Sequence, residues 1–364
     1  MHGSFIHIFF EMNAYKFISA IYISLLALVL LFVFILGMVI YKKSIERKRK
    51  MWRDPIATII SQVIFFTEEE SETFDIDFGN KKLLQNDLFR QCLIEEVIHA
   101  RKNLTGTATT NLKKLYEILN LDKDSFKKVN SKRWHIKVKG LQELSVMEQV
   151  KYVKPIFRLT NNKNELVRAE AQSALISFYG FPGLRFLNIT TYPISQWHQI
   201  QLLNNLNGPK PDNLDSIKKW LRSPNESVIN FSLKLATFYN CYNVYESVIN
   251  CLQHPGIQVR LGALDYLKKM PREDTPEKII EIYPSGNKKI KLLILDILKE
   301  AGTEKQLLFL LKQLHNADND IKASAAKTLS CLHPLGTAFL QTHLFADENP
   351  WKAIFLQIET ERAA

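Results

Sequence analysis

Along the C-terminal two-thirds of the chain one spacing recurs. An apolar anchor is followed four positions on by a mostly small residue, and eight positions on by Leu in most copies. The anchors are Ile136, Val167, His198, Val228, Val259, Ile290 and Ile321, separated by 31, 31, 30, 31, 31 and 31 residues. Their partners at four are Gly140, Ala171, Leu202, Ser232, Ala263, Ile294 and Ala325. Those at eight are Leu144, Leu175, Leu206, Ala236, Leu267, Leu298 and Leu329. Residues four and eight apart share one face of a helix. A period near 30 residues has room for two short helices and two turns. The pattern predicts helix pairs that stack on their neighbours, hence an all-α chain.

A second apolar segment precedes most anchors, at residues 150–159, 214–221, 245–252, 279–283 and 307–314. Turn residues divide the two helices of a pair: Asn161 and Asn162, Ser223 to Asn225, His254 to Gly256, Pro284 to Gly286, and Asn316 to Asn319. The weakest link is 181–196, where Pro182, Gly183 and Pro193 break the first helix. After His333-Pro334, residues 333–364 read as a degenerate last pair and C-terminal cap.

Upstream the pattern is less regular. Residues 87–102 carry Leu88, Cys92, Val97 and Ile98 at helical spacing, and Leu112, Leu115, Tyr116 and Leu119 form another stripe. Residues 55–130 are expected to be a helical N-terminal cap module, since a terminal repeat lacks one neighbour. Within it, PIATIISQVIFF (55–66) is too short to cross a bilayer. It is either an interfacial helix or a buried one. TEEESETFDID (67–77) reads as an acidic loop.

Residues 17–41, FISAIYISLLALVLLFVFILGMVIY, form an uncharged run of 25. About 20 apolar residues span the hydrocarbon core, so this run is a transmembrane helix with room to tilt. It is too long for a secretory signal, and its basic flank follows it. That flank, residues 42–54, carries Lys42, Lys43, Arg47, Lys48, Arg49, Lys50 and Arg53 before Asp54, against Glu46 alone up to Arg53. Cations on the C-terminal side place that side in the cytoplasm and the tail 1–16 outside. The expected location is the inner membrane, single-pass, with anionic lipid at the flank. Met12 is an alternative start.

Composition adds little beyond this. The net charge is +11, of which residues 42–53 supply +6. The basic balance is therefore largely a membrane-flank effect and disfavours nucleic acid as a partner. Cys92, Cys241, Cys251 and Cys331 lack metal-ligand spacing and are expected to be free thiols.

The repeats resemble the HEAT family. Val167-Arg168 with Ala171 and Leu175, Val259-Arg260 with Ala263, and Ile321-Lys322 with Ala325 and Leu329 match its second helix. The basic residue after the anchor recurs as Lys137, Arg168, Arg260, Lys291 and Lys322, while Gln199 and Ile229 depart from it. The resemblance covers residues 131–332. It implies a right-handed HEAT-like α-solenoid of about seven to eight helical pairs behind one transmembrane helix. It also implies binding of another macromolecule over catalysis. The whole layout resembles bacterial single-span membrane HEAT-repeat proteins, some encoded near membrane glycosyltransferases. That likeness implies a scaffold supporting a membrane-associated complex.

Candidate chemistry is sparse. Glu96 and His99 have the E-x-x-H spacing of di-iron bundles, but one copy makes only a surface pair. There is no HExxH, no phosphate-cradling Gly-rich loop and no Gly-x-Ser-x-Gly. No catalytic residue, cofactor or metal is expected. The candidate partner-binding residues are Lys127, Lys128, Lys132, Arg133, Trp134, Lys137 and Lys139, cations interleaved with an aromatic. A non-enzymatic, membrane-anchored scaffold for a protein partner is the leading expectation. An enzyme or nucleic-acid binder on the same fold, or a solenoid outside the cytoplasm by inverted topology, are the alternatives.

Overall fold

The computed structural model describes residues 2–65, 82–206, 211–332, 340 and 350–363. Every regular element among them is helical. The acidic stretch 67–77 and most of the segment 333–349 lie outside the described residues. The chain divides into two compact units, Met1–Lys132 with Lys139–Gln149, and Arg133–Val138 with Val150–Ala364.

The first unit begins with α1, a single helix over His2–Phe65. Its apolar stretch is long enough to cross a membrane, and none of it is buried. The flank does not interrupt it, because Lys, Arg, Glu and Met are all good helix formers. Pro55 lies inside the helix, where it removes one backbone bond. Beyond the flank one face turns inward. Trp52, Ile56, Ile59, Ile60 and Val63 are buried against Phe89, Leu93 and Val97 of α2 (Asp87–Asn103) and Leu112, Leu115 and Tyr116 of α3 (Thr107–Ile118). Trp52 meets Phe89 edge-on at 5.6 Å, and Asn111 donates to the Val63 carbonyl at 3.1 Å. Of the two expectations for 55–66, the structure shows the buried helix. The core reaches three residues further back, to Trp52.

Next come α4 (Leu121–Val129) and α5 (Trp134–Val146). Gly140 explains how closely they approach. A Cβ there would lie 2.6 Å from the Ser125 carbonyl oxygen and 2.8 Å from Lys128 Cβ. Only a glycine lets the two backbones meet.

The second unit holds α6 (Val153–Leu159), α7 (Glu165–Tyr179), α8 (Gln196–Asn204), α9 (Ser216–Trp220), α10 (Glu226–Phe238), α11 (Tyr245–Cys251), α12 (Ile257–Lys269), α13 (Thr275–Glu281), α14 (Lys288–Ala301), α15 (Leu307–Gln313), α16 (Asn319–Leu332) and α17 (Trp351–Ala363). Residues 181–188 form a 3-10 helix in place of an α-helix, at the expected weak link. The longer helices pack in series, α10 on α12, α12 on α14 and α14 on α16. The short helices α9, α11, α13 and α15 pack each on the long helix that follows. Every anchor and partner of the recurrent spacing is buried except half-exposed Ile136.

Five of the six anchor-bearing helices of this unit are started by a side-chain cap. Asn164, Ser195, Asn225, Asn287 and Asp318 accept from Val167, His198, Ser227, Ile290 and Ile321 backbone N–H groups. These satisfy donors that a helix leaves orphaned at its start. Gly256 holds the equivalent place before α12, without a side-chain cap.

Candidate functional site

The flank cations Lys42, Lys43, Arg47, Lys48, Lys50 and Arg53 are all exposed on α1. Arg49 is exposed as well, and it also pairs with Glu95 of α2 at 3.3 Å. Glu95 also accepts from Lys139 at 2.6 Å. Burial pushes the Glu95 carboxyl up, but hydrogen bonds from Lys139 and Gln91 outweigh it and hold the pKa below the ordinary value.

The second group divides. Lys127, Lys128, Lys132 and Lys139 belong to the first unit, and Arg133, Trp134 and Lys137 to the second. Lys127 is 79% exposed at its side chain, with a 3.5 Å contact to Asp124 one turn away. Lys132 and Trp134 are exposed too, and Trp134 meets His135 edge-on at 5.7 Å.

Lys128 is not a surface cation. It donates to both oxygens of Glu143, at 2.8 and 2.6 Å. The Glu143 side chain is only 4% exposed. Tyr116 O–H lies 2.7 Å from Ser125 Oγ, and the Ser125 hydroxyl donates in turn to Glu143. Gln91 adds a donor at 3.3 Å. Burial pulls the Lys128 pKa down, and the Glu143 bond opposes that pull. Burial likewise pushes the Tyr116 hydroxyl up. A carboxylate so enclosed, with its donors supplied by α2 and α4, serves to lock α4 onto α5. Sequence reasoning missed Glu143. Its one signal was a carboxylate seven residues after an anchor, on the face that helical spacing turns inward.

Glu96 and His99 are both exposed on α2. Among the described residues no three His, Cys, Asp or Glu side chains are placed to hold a metal. Cys92, Cys241 and Cys251 are buried thiols, while Cys331 is exposed. In the second unit a cleft of about 300 Å³ lies between α14, α16 and α17. Asp296 and Asp320 on its wall are already paired, with Lys268 and Lys288, each at 2.5 Å.

His198, the one polar anchor, is 7% exposed and bonds Gln172 through Nε2 at 2.9 Å. Burial lowers its pKa; a side-chain hydrogen bond with Gln201 and the Glu165 charge act against that, and Arg168 acts with it. A depressed folded-state pKa means that the unfolded chain binds the proton first. The stability tied to neutral His198 is therefore present above about pH 6.5 and lost as pH falls through the folded pKa. We expect the unfolding midpoint to drop on acidification below that point, and the drop to shrink in His198→Leu. Identical pH profiles for the two proteins would exclude His198 as the source.

No protein-family model matches the chain, and no curated protein matches it. Among solved structures it is similar to an engineered protein from a structural-genomics consortium. The identity is 12% over 86% of this chain and 94% of that one, with a TM-score of 0.38.

Proposed function

We propose that this is a single-pass membrane protein that presents a HEAT-like solenoid in the cytoplasm as a scaffold for a protein partner. The observation that carries the reading is α1, a helix whose exposed apolar stretch runs without a break into the core of the first unit. Exposed Ile, Leu, Val and Phe side chains along residues 21–41 call for a nonpolar surrounding. The cations immediately after them favour the cytoplasmic side for everything that follows. The serial packing of α10, α12, α14 and α16, with a helix start every 30 or 31 residues, supports the solenoid and the resemblance to HEAT repeats. The buried Glu143 carboxylate is spent on Lys128 and Ser125, so this cluster supplies a helix contact in place of a free acid or base.

At 1.5 Å per residue, Lys42, Lys43 and Arg47 lie within about 9 Å of the end of the apolar run. That is roughly the depth of the headgroup layer, so these three are the lipid ligands among the flank cations. A membrane-associated complex, such as a glycosyltransferase system, is the partner class this layout suits.

Two measurements test the reading. A cytoplasm-only reporter fused after Ala364 should be active and an export-dependent phosphatase silent, with the protein resisting alkaline extraction from membranes. The opposite reporter pattern, or release by alkali, refutes the topology. For the partner, Lys127→Glu with Lys132→Glu should weaken salt-sensitive capture of an acidic protein while changing stability by under about 0.5 kcal/mol each. Undiminished capture moves the binding surface elsewhere, and capture of nucleic acid instead overturns the scaffold.

A further inference from the structure

The short helices of the second unit change in charge along the array. On α6, on the 3-10 helix at 181–188 and on or just after α9 stand Lys154, Arg158, Arg185, Lys218, Lys219 and Arg222, with no acid among them. Further along the signs mix. Helix α11 carries Glu246, and α13 carries Glu277, Lys278 and Glu281. Glu304, Lys305 and Lys312 lie before and on α15.

Contacts hold the three basic elements side by side. Arg185 lies over the Phe157 ring at 5.2 Å, which joins the 3-10 helix to α6. Trp220 of α9 meets Phe181 at 5.8 Å and donates from Nε1 to Asn188 Oδ1 at 3.1 Å. Apolar side chains face inward, with α6 and the 3-10 helix packed on α7, and α9 on α10. Ile156, Ile217 and Trp220 are buried there. The cations are left on the outward side, and all six are exposed. Among the described residues none of the six is in an ion pair. Asp212 and Asp215, just before α9, do not pair with its lysines.

Unpaired like charges on neighbouring elements repel one another, and an opposing anionic surface relieves that cost. Arg185 is suited to a phosphate in particular. It is stacked on Phe157 and, at 5.9 Å, on Tyr179. A guanidinium held by its face keeps its N–H edge free to donate. Which anion it meets follows from how the chain is held. A protein anchored in a bilayer has that bilayer's anionic headgroups at high effective concentration, so contacts too weak to recruit a free partner suffice.

We infer that the outward face of α6, the 3-10 helix and α9 docks on anionic lipid headgroups of the membrane that α1 spans. The inference rests on the reading of α1 as a span. It gives the second unit a lipid contact of its own, separate from the flank cations of α1. Each Lys or Arg brought to an anionic surface strengthens attachment roughly fivefold, so the contact is reversible and follows lipid charge.

The test places the full-length protein in nanodiscs of phosphatidylcholine, with and without an equal part of phosphatidylglycerol. Lysine acetylation is read by mass spectrometry. Lys154, Lys218 and Lys219 should label several-fold more slowly on the anionic discs. Lys269 and Lys289, exposed on α12 and α14, should label alike on both. Raising salt from 0.1 to 1 M shortens the reach of charge from about 10 to about 3 Å and should remove the protection. Arg158→Glu with Arg222→Glu, both at exposed positions, should restore labelling of the three lysines with helical content unchanged. Equal labelling on the two kinds of disc overturns the inference, as does protection indifferent to salt or to the arginine reversals. Lysines that stay reactive on anionic discs but are shielded by added RNA or polyglutamate assign the face to another polyanion and also overturn it. A chain that fails to enter even the neutral discs overturns the reading of α1, and this inference with it.

Discussion

Replacing Glu143 by leucine should destabilise the protein by about 3–5 kcal/mol. The cost is not the loss of a salt bridge as such. A buried pair gains little over an apolar pair of the same shape, because both charges give up their hydration. The cost arises because one partner is left behind. Lys128 is 17% exposed at its side chain and has its ammonium against Glu143. Without the carboxylate it must lose its proton or drag water into the contact between α4 and α5. Ser125, which is fully buried, loses its acceptor in the same step. Adding Lys128→Met to the Glu143→Leu chain should therefore recover most of the loss. Chemical unfolding of the full chain in detergent, followed by helical content, reads both. A single variant within about 1 kcal/mol of wild type, or a double variant no better than the single, would show that the cluster is not closed in the way described.

The second large effect concerns Leu267, a partner at eight from Val259 and fully buried on α12. Leu267→Asp should cost more than about 4 kcal/mol, since it removes a packed side chain and puts a carboxyl in its place. Helix α12 packs on both α10 and α14, so the damage should extend to both neighbours. Amide exchange in α10 and α14 should then accelerate together with that in α12. Lys269→Glu, two positions on and exposed, should stay within about 0.5 kcal/mol. Lys268 is a poorer control, because it pairs with Asp296 at 2.5 Å and its reversal should cost about 1 kcal/mol. Equal tolerance of Asp at 267 and Glu at 269 would contradict helix packing in this register.

Much of the fold could be read from spacing because burial of one helical face leaves its period in the sequence. Val228, Ser232 and Ala236 are each fully buried, as are Val259, Ala263 and Leu267. Of the side-chain caps, Asn225 and Asp318 fell among the turn residues visible in the sequence, while Asn164, Ser195 and Asn287 came only from the hydrogen bonds. What could not be read was which charges meet. Lys128 and Glu143 lie 15 positions apart, and Arg49 and Glu95 lie 46 apart. No local period links such pairs, so both cations looked like solvated surface groups, the usual place for a lysine or arginine. Gly140 carried a hint of the close contact that sets the first pair. The hint concerned backbone approach and did not extend to the carboxylate three residues later.

A helix shared between an apolar run and a folded core also acts as a lever. Trp52 lies eleven positions after Tyr41 on α1, about 17 Å along a stiff rod. If the apolar run spans a bilayer as proposed, tilting it by about 20°, as bilayer thickness alone can require, would swing Trp52 sideways by about 6 Å. No loop stands between them to absorb the movement. Inserting two glycines at Ser44 should break the rod, and the tilt of the span should then no longer register in the fluorescence of Trp52. In the proposed membrane-spanning arrangement, with the rod whole, the thickness of the bilayer would be a mechanical input to the packing of α1 against α2 and α3.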